Sequence, residues 1–209
     1  MHIVDGALSV PVLAASGASA AAAVGIGSVK TDYESIPRVG VMASVFFVAS
    51  LIRVPVGPSS AHLLLPALMG IVLGWAVFPA LAVALFLQAI LFGFGGITSL
   101  GANILVMGVP GIACHYLFGR SVRAIRGQES VFALSFTAGA AGIIVAWLVL
   151  GLLLMASGRS FTAAVVAVGA AHIPVVVIEG FVTAFAVSFL HRIRPLMLAG
   201  PALTTVPED

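Results

Sequence analysis

Residues 131–157, VFALSFTAGAAGIIVAWLVLGLLLMAS, run for 27 positions without one ionisable side chain. Wound as an α-helix at ~1.5 Å per residue they extend about 40 Å, enough to cross a hydrocarbon core roughly 30 Å thick. The run shows none of the short alternating segments of a membrane barrel, so it reads as a helix. Similar apolar segments lie outward of it on both sides, at 7–29, 38–53, 61–77, 79–95, 101–119 and 162–190. Over all 209 residues, 61% are hydrophobic and 8% charged, against about 45–50% and about 25% in an ordinary soluble domain. Nine basic and seven acidic side chains do not clothe a water-soluble globule of this size. That excludes a soluble enzyme, a nucleic-acid-binding domain and a disordered chain. The sequence therefore predicts an all-α, polytopic integral membrane protein with about seven transmembrane helices. Residues 1–199 form its single transmembrane domain and 200–209 a short polar tail. The third to fifth segments are separated only by Phe78-Pro79 and Gly95-Gly96, so the count rests most heavily there.

Charge gives the expected orientation. Lys30 and Arg38 follow the first segment, Arg120, Arg123 and Arg126 the fifth, and Arg192 and Arg194 the seventh. Only Arg53 and Arg159 fall on the opposite side. Under the positive-inside rule the N-terminus is then extracytoplasmic and the C-terminal tail cytoplasmic, as an odd number of spans requires. The location expected from this is a plasma membrane. Ala18-Ser19-Ala20 resembles a signal-peptide cleavage site, but the first 29 residues carry no Lys or Arg, so the positive leader region is missing. The first segment is expected to stay as a helix.

Polar residues are few enough to weigh one by one. The single Cys114 excludes an intramolecular disulfide and a cysteine-based metal cluster. His2 offers a chelate by its position alone. The Met1 amine, the His2 amide nitrogen and a His2 imidazole nitrogen close adjoining five- and six-membered rings on one metal. A bulky second residue disfavours removal of Met1. All-nitrogen planar ligation suits Cu(II) or Ni(II) better than Zn(II), Mg(II) or Ca(II). His62, where the loop Val54–Ser60 enters the third segment, falls on the same side as His2 and can supply the fourth nitrogen. Ser59, Ser60 and Asn103 are candidates to orient the imidazoles. Inside the apolar segments stand Gln88, Asn103 and Glu179, with His172 on the same segment as Glu179. Buried amides act as glue between helices, whereas an intramembrane carboxylate is a functional candidate by default. The residues leave a packing role and a place on a metal path equally open for Glu179 and His172.

The only lysine is Lys30, in Gly27-Ser28-Val29-Lys30, so the phosphate-binding Gly-Lys-Ser/Thr sequence is absent and ATP is not bound through a P-loop. Ser59 and His62 are three apart in a proline-rich loop with no Gly-x-Ser-x-Gly setting. No enzymatic nucleophile with its base emerges, so the chain reads as a non-enzyme.

Four blocks in order carry a resemblance: Met1-His2-Ile3-Val4-Asp5-Gly6-Ala7-Leu8-Ser9, Gly57-Pro58-Ser59-Ser60-Ala61-His62-Leu63-Leu64, Gly93 to Asn103, and Ala171-His172-Ile173-Pro174 through Glu179-Gly180. Together they resemble the substrate-capture components of energy-coupling-factor nickel and cobalt transporters, the CbiM/NikM family, over nearly the whole chain. The resemblance implies a bundle whose N-terminus inserts into its own extracellular pocket. There the Met1 amine, the His2 amide and imidazole, and His62 hold Ni(II) or Co(II). It also implies partners: a transmembrane coupling subunit, two cytoplasmic ATPases and, in many cases, a small companion membrane protein, in a prokaryotic plasma membrane. Many relatives carry a histidine where this chain has Phe94, and Gly or Asn around Pro66-Ala67; neither departure touches the four ligands. The rival reading is a self-contained ion-coupled permease or channel relaying through Glu179 and His172.

Overall fold

Lipid offers no partner to backbone N–H and C=O groups, so the apolar runs close their hydrogen bonds internally as helices. The structure, a computed structural model, describes residues 2–56, 59–158 and 162–198, the side chains of 53–56, 59–61 and 164 excepted. In order these form α1 (Val10–Val29), α2 (Ile36–Leu51), a hairpin of β1 (Arg53–Val56) and β2 (Ser59–His62), α3 (Pro66–Leu73), α4 (Val77–Phe92), α5 (Leu100–Cys114), α6 (Arg120–Ala124), α7 (Gln128–Ser157) and α8 (Thr162–Ile193). A wide π-helical turn, His115–Gly119, carries α5 into α6 without a break. The stretch expected as a plain loop after the second segment is instead an antiparallel ladder pairing Arg53 with His62 and Val56 with Ser59.

Six helical stretches among the described residues are long and apolar enough to cross a membrane. The expected third span is the exception: α3 has only eight residues, about 12 Å of helix. Phe78-Pro79 does not separate the third and fourth segments either. The chain turns three residues earlier, through Gly74–Ala76. Pro79 sits in the first turn of α4, where a missing N–H costs no helical bond.

Contacts define two ends of the bundle. Lys30 stacks over the Trp75 ring at 4.8 Å, and Trp75 Nε1 donates to Tyr116 Oη at 2.8 Å. Arg38 and Arg123 donate to the carbonyls of Met197 and Leu198. The basic ends of α1, α2, α6 and α8 therefore gather at one end. At the other, Ser9 N–H donates to Ser157 Oγ at 3.2 Å, and the N-terminal segment meets the hairpin and the α4–α5 loop. The third pass between the ends is made by β2, residues 63–65 and α3 together.

Every residue of α3 is buried, so this helix is apolar all round, as an element wrapped by others must be. At its tightest crossing a Cβ on Gly70 would collide with the Gly111 backbone of α5. The outer helices turn Ile26, Val45, Phe86, Phe185 and Phe189 outward, the surface a lipid-facing bundle presents.

Candidate metal site

The N-terminal segment is pinned residue by residue. Asn103, on the first turn of α5, grips both backbone groups of Ile3: its Oδ1 accepts from Ile3 N–H at 2.8 Å and its Nδ2 donates to Ile3 O at 3.0 Å. Ser99 Oγ, at the helix start, donates to the same carbonyl at 2.8 Å. Asp5 accepts from Thr98 Oγ1 at 2.6 Å and from Ser99 N–H at 3.0 Å. Two glycines make the approach possible. Gly95 has φ +78°, and a Cβ there would lie 2.7 Å from Asn103 Nδ2. A Cβ on Gly96 would overlap the Asp5 carboxylate. Gly96→Ala is therefore expected to lift the segment off the α4–α5 loop, and faster protease cleavage near the N-terminus of the purified variant checks this.

Hydrogen bonding from the Thr98 hydroxyl, then from Ser99, holds the Asp5 carboxyl below the usual carboxylate range. A depressed folded value means that the contribution is present above the unfolded pKa and is lost as pH falls through the lowered one. The Asp5 tie thus outlasts mild acid.

So anchored, His2 faces His62, which closes β2 and is 4% exposed. His2 Nδ1 lies 3.0 Å from His62 Nε2, with ring centroids 4.7 Å apart. His62 Nδ1 lies 3.1 Å from Leu63 O; a carbonyl only accepts, so Nδ1 carries the proton and Nε2 the lone pair. Nδ1 is also the His2 nitrogen that a six-membered chelate ring requires. His2 Nε2 is 3.1 Å from Gln88 Oε1, and the Phe94 ring sits 6.2 Å from that of His2. Among the described residues no three His, Cys, Asp or Glu side chains cluster as a metal site.

The other candidates divide. Met1 and the side chains of Ser59 and Ser60 lie outside the described residues. Asn103 supports the site through Ile3 rather than through an imidazole. Glu179, wholly buried, accepts from Leu64 N–H and, at 3.0 Å, from Leu65 N–H. It thereby caps α3 at its turn of entry, where Leu65 has φ 49° and Pro66 has no N–H to offer. His172 donates through Nδ1 to Val168 O of its own helix at 2.7 Å. Sequence reasoning named Gln88 only as glue and missed Ser99 and Thr98.

The model of the family described as "CbiM: Cobalt uptake substrate-specific transmembrane region" matches residues 2–197. The chain belongs to the CbiM family. A Haemophilus influenzae relative named for metal transport is 35% identical over 196 residues, 93% of this chain and 95% of its own. The fused nickel transport protein NikMN of Rhodobacter capsulatus is 32% identical over 231 residues, 100% of this chain and 67% of its own. A crystal structure of a transition metal transporter superposes with TM-score 0.72 over 92% of this chain and 93% of that one, at 24% identity. That likeness speaks to the fold. CbiM membership and the six span-length helices make this a multi-pass helical membrane protein of a transport family.

Proposed function

We propose that this chain captures Ni(II) or Co(II) at its N-terminus for ATP-driven uptake. The ligands are the Met1 amine, the His2 amide nitrogen, His2 Nδ1 and His62 Nε2. The observation that carries the reading is the 3.0 Å approach of His2 Nδ1 to His62 Nε2, two nitrogens far apart in sequence. Its relatives point to the same metals: the family description names cobalt and the Rhodobacter protein's name nickel. The Irving–Williams order ranks nickel above cobalt at an all-nitrogen site.

One deprotonated amide leaves a complex of net charge about +1, less costly to hold near lipid than a bare divalent ion. The amine and the amide each shed a proton to ligate, so binding should release about two protons and weaken as pH falls. Calorimetry in buffers of different ionisation heat measures that number; no proton release would contradict ligation by the amide.

With no P-loop, the energy comes from elsewhere: a transmembrane coupling subunit and two cytoplasmic ATPases, with a small companion membrane protein in some assemblies. The basic end of the bundle then faces the cytoplasm of a prokaryotic cell and the N-terminal site faces outward. Reconstitution in liposomes tests this part. The chain alone should bind Ni(II) but move little, and transport should appear only with ATPase and coupling subunits present. ATP-independent transport by the chain alone would favour a self-contained permease.

A further inference from the structure

A short ladder of hydrogen bonds leads away from the histidine pair into α2 and α4. Ser50 Oγ donates to Phe47 O at 2.9 Å. With its proton committed there, Ser50 Oγ accepts from Gln88 Nε2, which also lies 3.5 Å from Phe47 O. A carbonyl accepts only, so Phe47 fixes the direction of every bond in the ladder. Gln88 must turn its NH2 toward Ser50 and its Oε1 toward His2 Nε2, 3.1 Å away. His2 Nε2 then carries the ring proton and Nδ1 the lone pair. On the facing ring Leu63 O imposes the complementary choice, with the lone pair on His62 Nε2. Two carbonyl-terminated ladders thus set the tautomer of each ring where His2 Nδ1 and His62 Nε2 lie 3.0 Å apart.

We infer that Gln88 is a positioning residue for metal capture: it holds His2 in the one tautomer and ring orientation that can chelate. The inference rests on the metal-site reading above. Only Nδ1 closes a six-membered ring with the His2 amide nitrogen; Nε2 points away from the main chain and closes none. Gln88 is 0% exposed, so water does not stand in for the lost acceptor. A neutral amide does this without adding charge to the site, and both of its ends are occupied in doing so. The residue therefore does more than bind α2 to α4.

The test uses the full chain with 15N-labelled histidine, first without metal and then titrated with Ni(II). In the parent, the His2 resonances should show a single tautomer protonated at Nε2. Gln88→Met, similar in volume but with no oxygen acceptor, should give mixed His2 tautomers and a Ni(II) affinity lower by about 10- to 100-fold. Gln88→Glu, which restores an acceptor, should return the parent tautomer and most of the affinity. If Gln88→Met does not fold, Gln88→Leu, which also lacks an oxygen acceptor, should give the same mixed signature. Parent-like tautomer and affinity in the folded variant would overturn the inference. Failure of the parent itself to bind Ni(II) would contradict the metal site instead, and the metal-free spectra still test the ladder by themselves.

Discussion

The chain with His2 replaced by Ala should lose high-affinity Ni(II) binding while its helices stay assembled. His2 contributes nothing to the apolar core, and the N-terminal segment remains tied through Ile3 and Asp5. In the proposed site, what disappears is the middle of a chelate. The six-membered ring goes, and with it the support that lets a main-chain amide give up its proton to a metal. The loss should exceed the roughly 10- to 100-fold typical of outer-shell changes. His62→Ala removes only the proposed fourth donor and opens that position to water, so its effect should be smaller but in the same direction. One residue added before Met1 should match the His2 variant, because it turns the terminal amine into an amide and moves the charge away. Equilibrium dialysis of the three purified variants against Ni(II) gives the comparison. Parent-like binding by the extended chain would remove Met1 from the ligand set.

Glu179→Ala should reduce stability more than any change at the histidines. The Glu179 carboxylate is the acceptor for Leu64 and Leu65 N–H at the head of a fully buried helix. Each orphaned, buried N–H costs about 1–3 kcal/mol, so the pair is worth about 2–6 kcal/mol before the emptied volume is counted. Leu65 is also held at φ 49°, a conformation that a leucine keeps only where its surroundings impose it. The expected result is a lower melting temperature in detergent and a lower folded yield. Glu179→Gln keeps an oxygen for the two N–H groups and should recover much of both. The same pair separates the roles that the residues alone left open. If Glu179→Gln is stable and binds and transports Ni(II) normally, the carboxylate is a cap. If it is stable but does not deliver metal, the charge belongs to the path.

Much of the bundle is legible in the residues because lipid permits so few structures. α1, α2, α7 and α8 follow from apolar runs bounded by charge, and the basic ends do gather at one side of the bundle. The third pass is not legible in that way. Pro66–Phe92 reads as continuous apolar sequence, and nothing in it announces that the chain turns at Gly74 rather than at Pro79. A buried short helix and a lipid-crossing one are equally hydrophobic, and only the neighbours tell them apart. That His2 and His62 share one end is legible in the charge pattern, whereas their 3.0 Å approach appears only in the fold. The Gln88–Ser50–Phe47 ladder cannot, because it needs α2 beside α4, which no local pattern specifies. Asn103 stands between these cases: its polarity marks it, yet its grip on Ile3 appears only once the N-terminus is folded in.

X-ray absorption at the nickel edge of the loaded, purified chain tests the central claim most directly, with the intact mass measured on the same sample. The account predicts a planar shell of four nitrogens, two of them imidazoles, on a chain that retains an unmodified Met1. A six-coordinate shell with carboxylate oxygens, or a single imidazole, would contradict it.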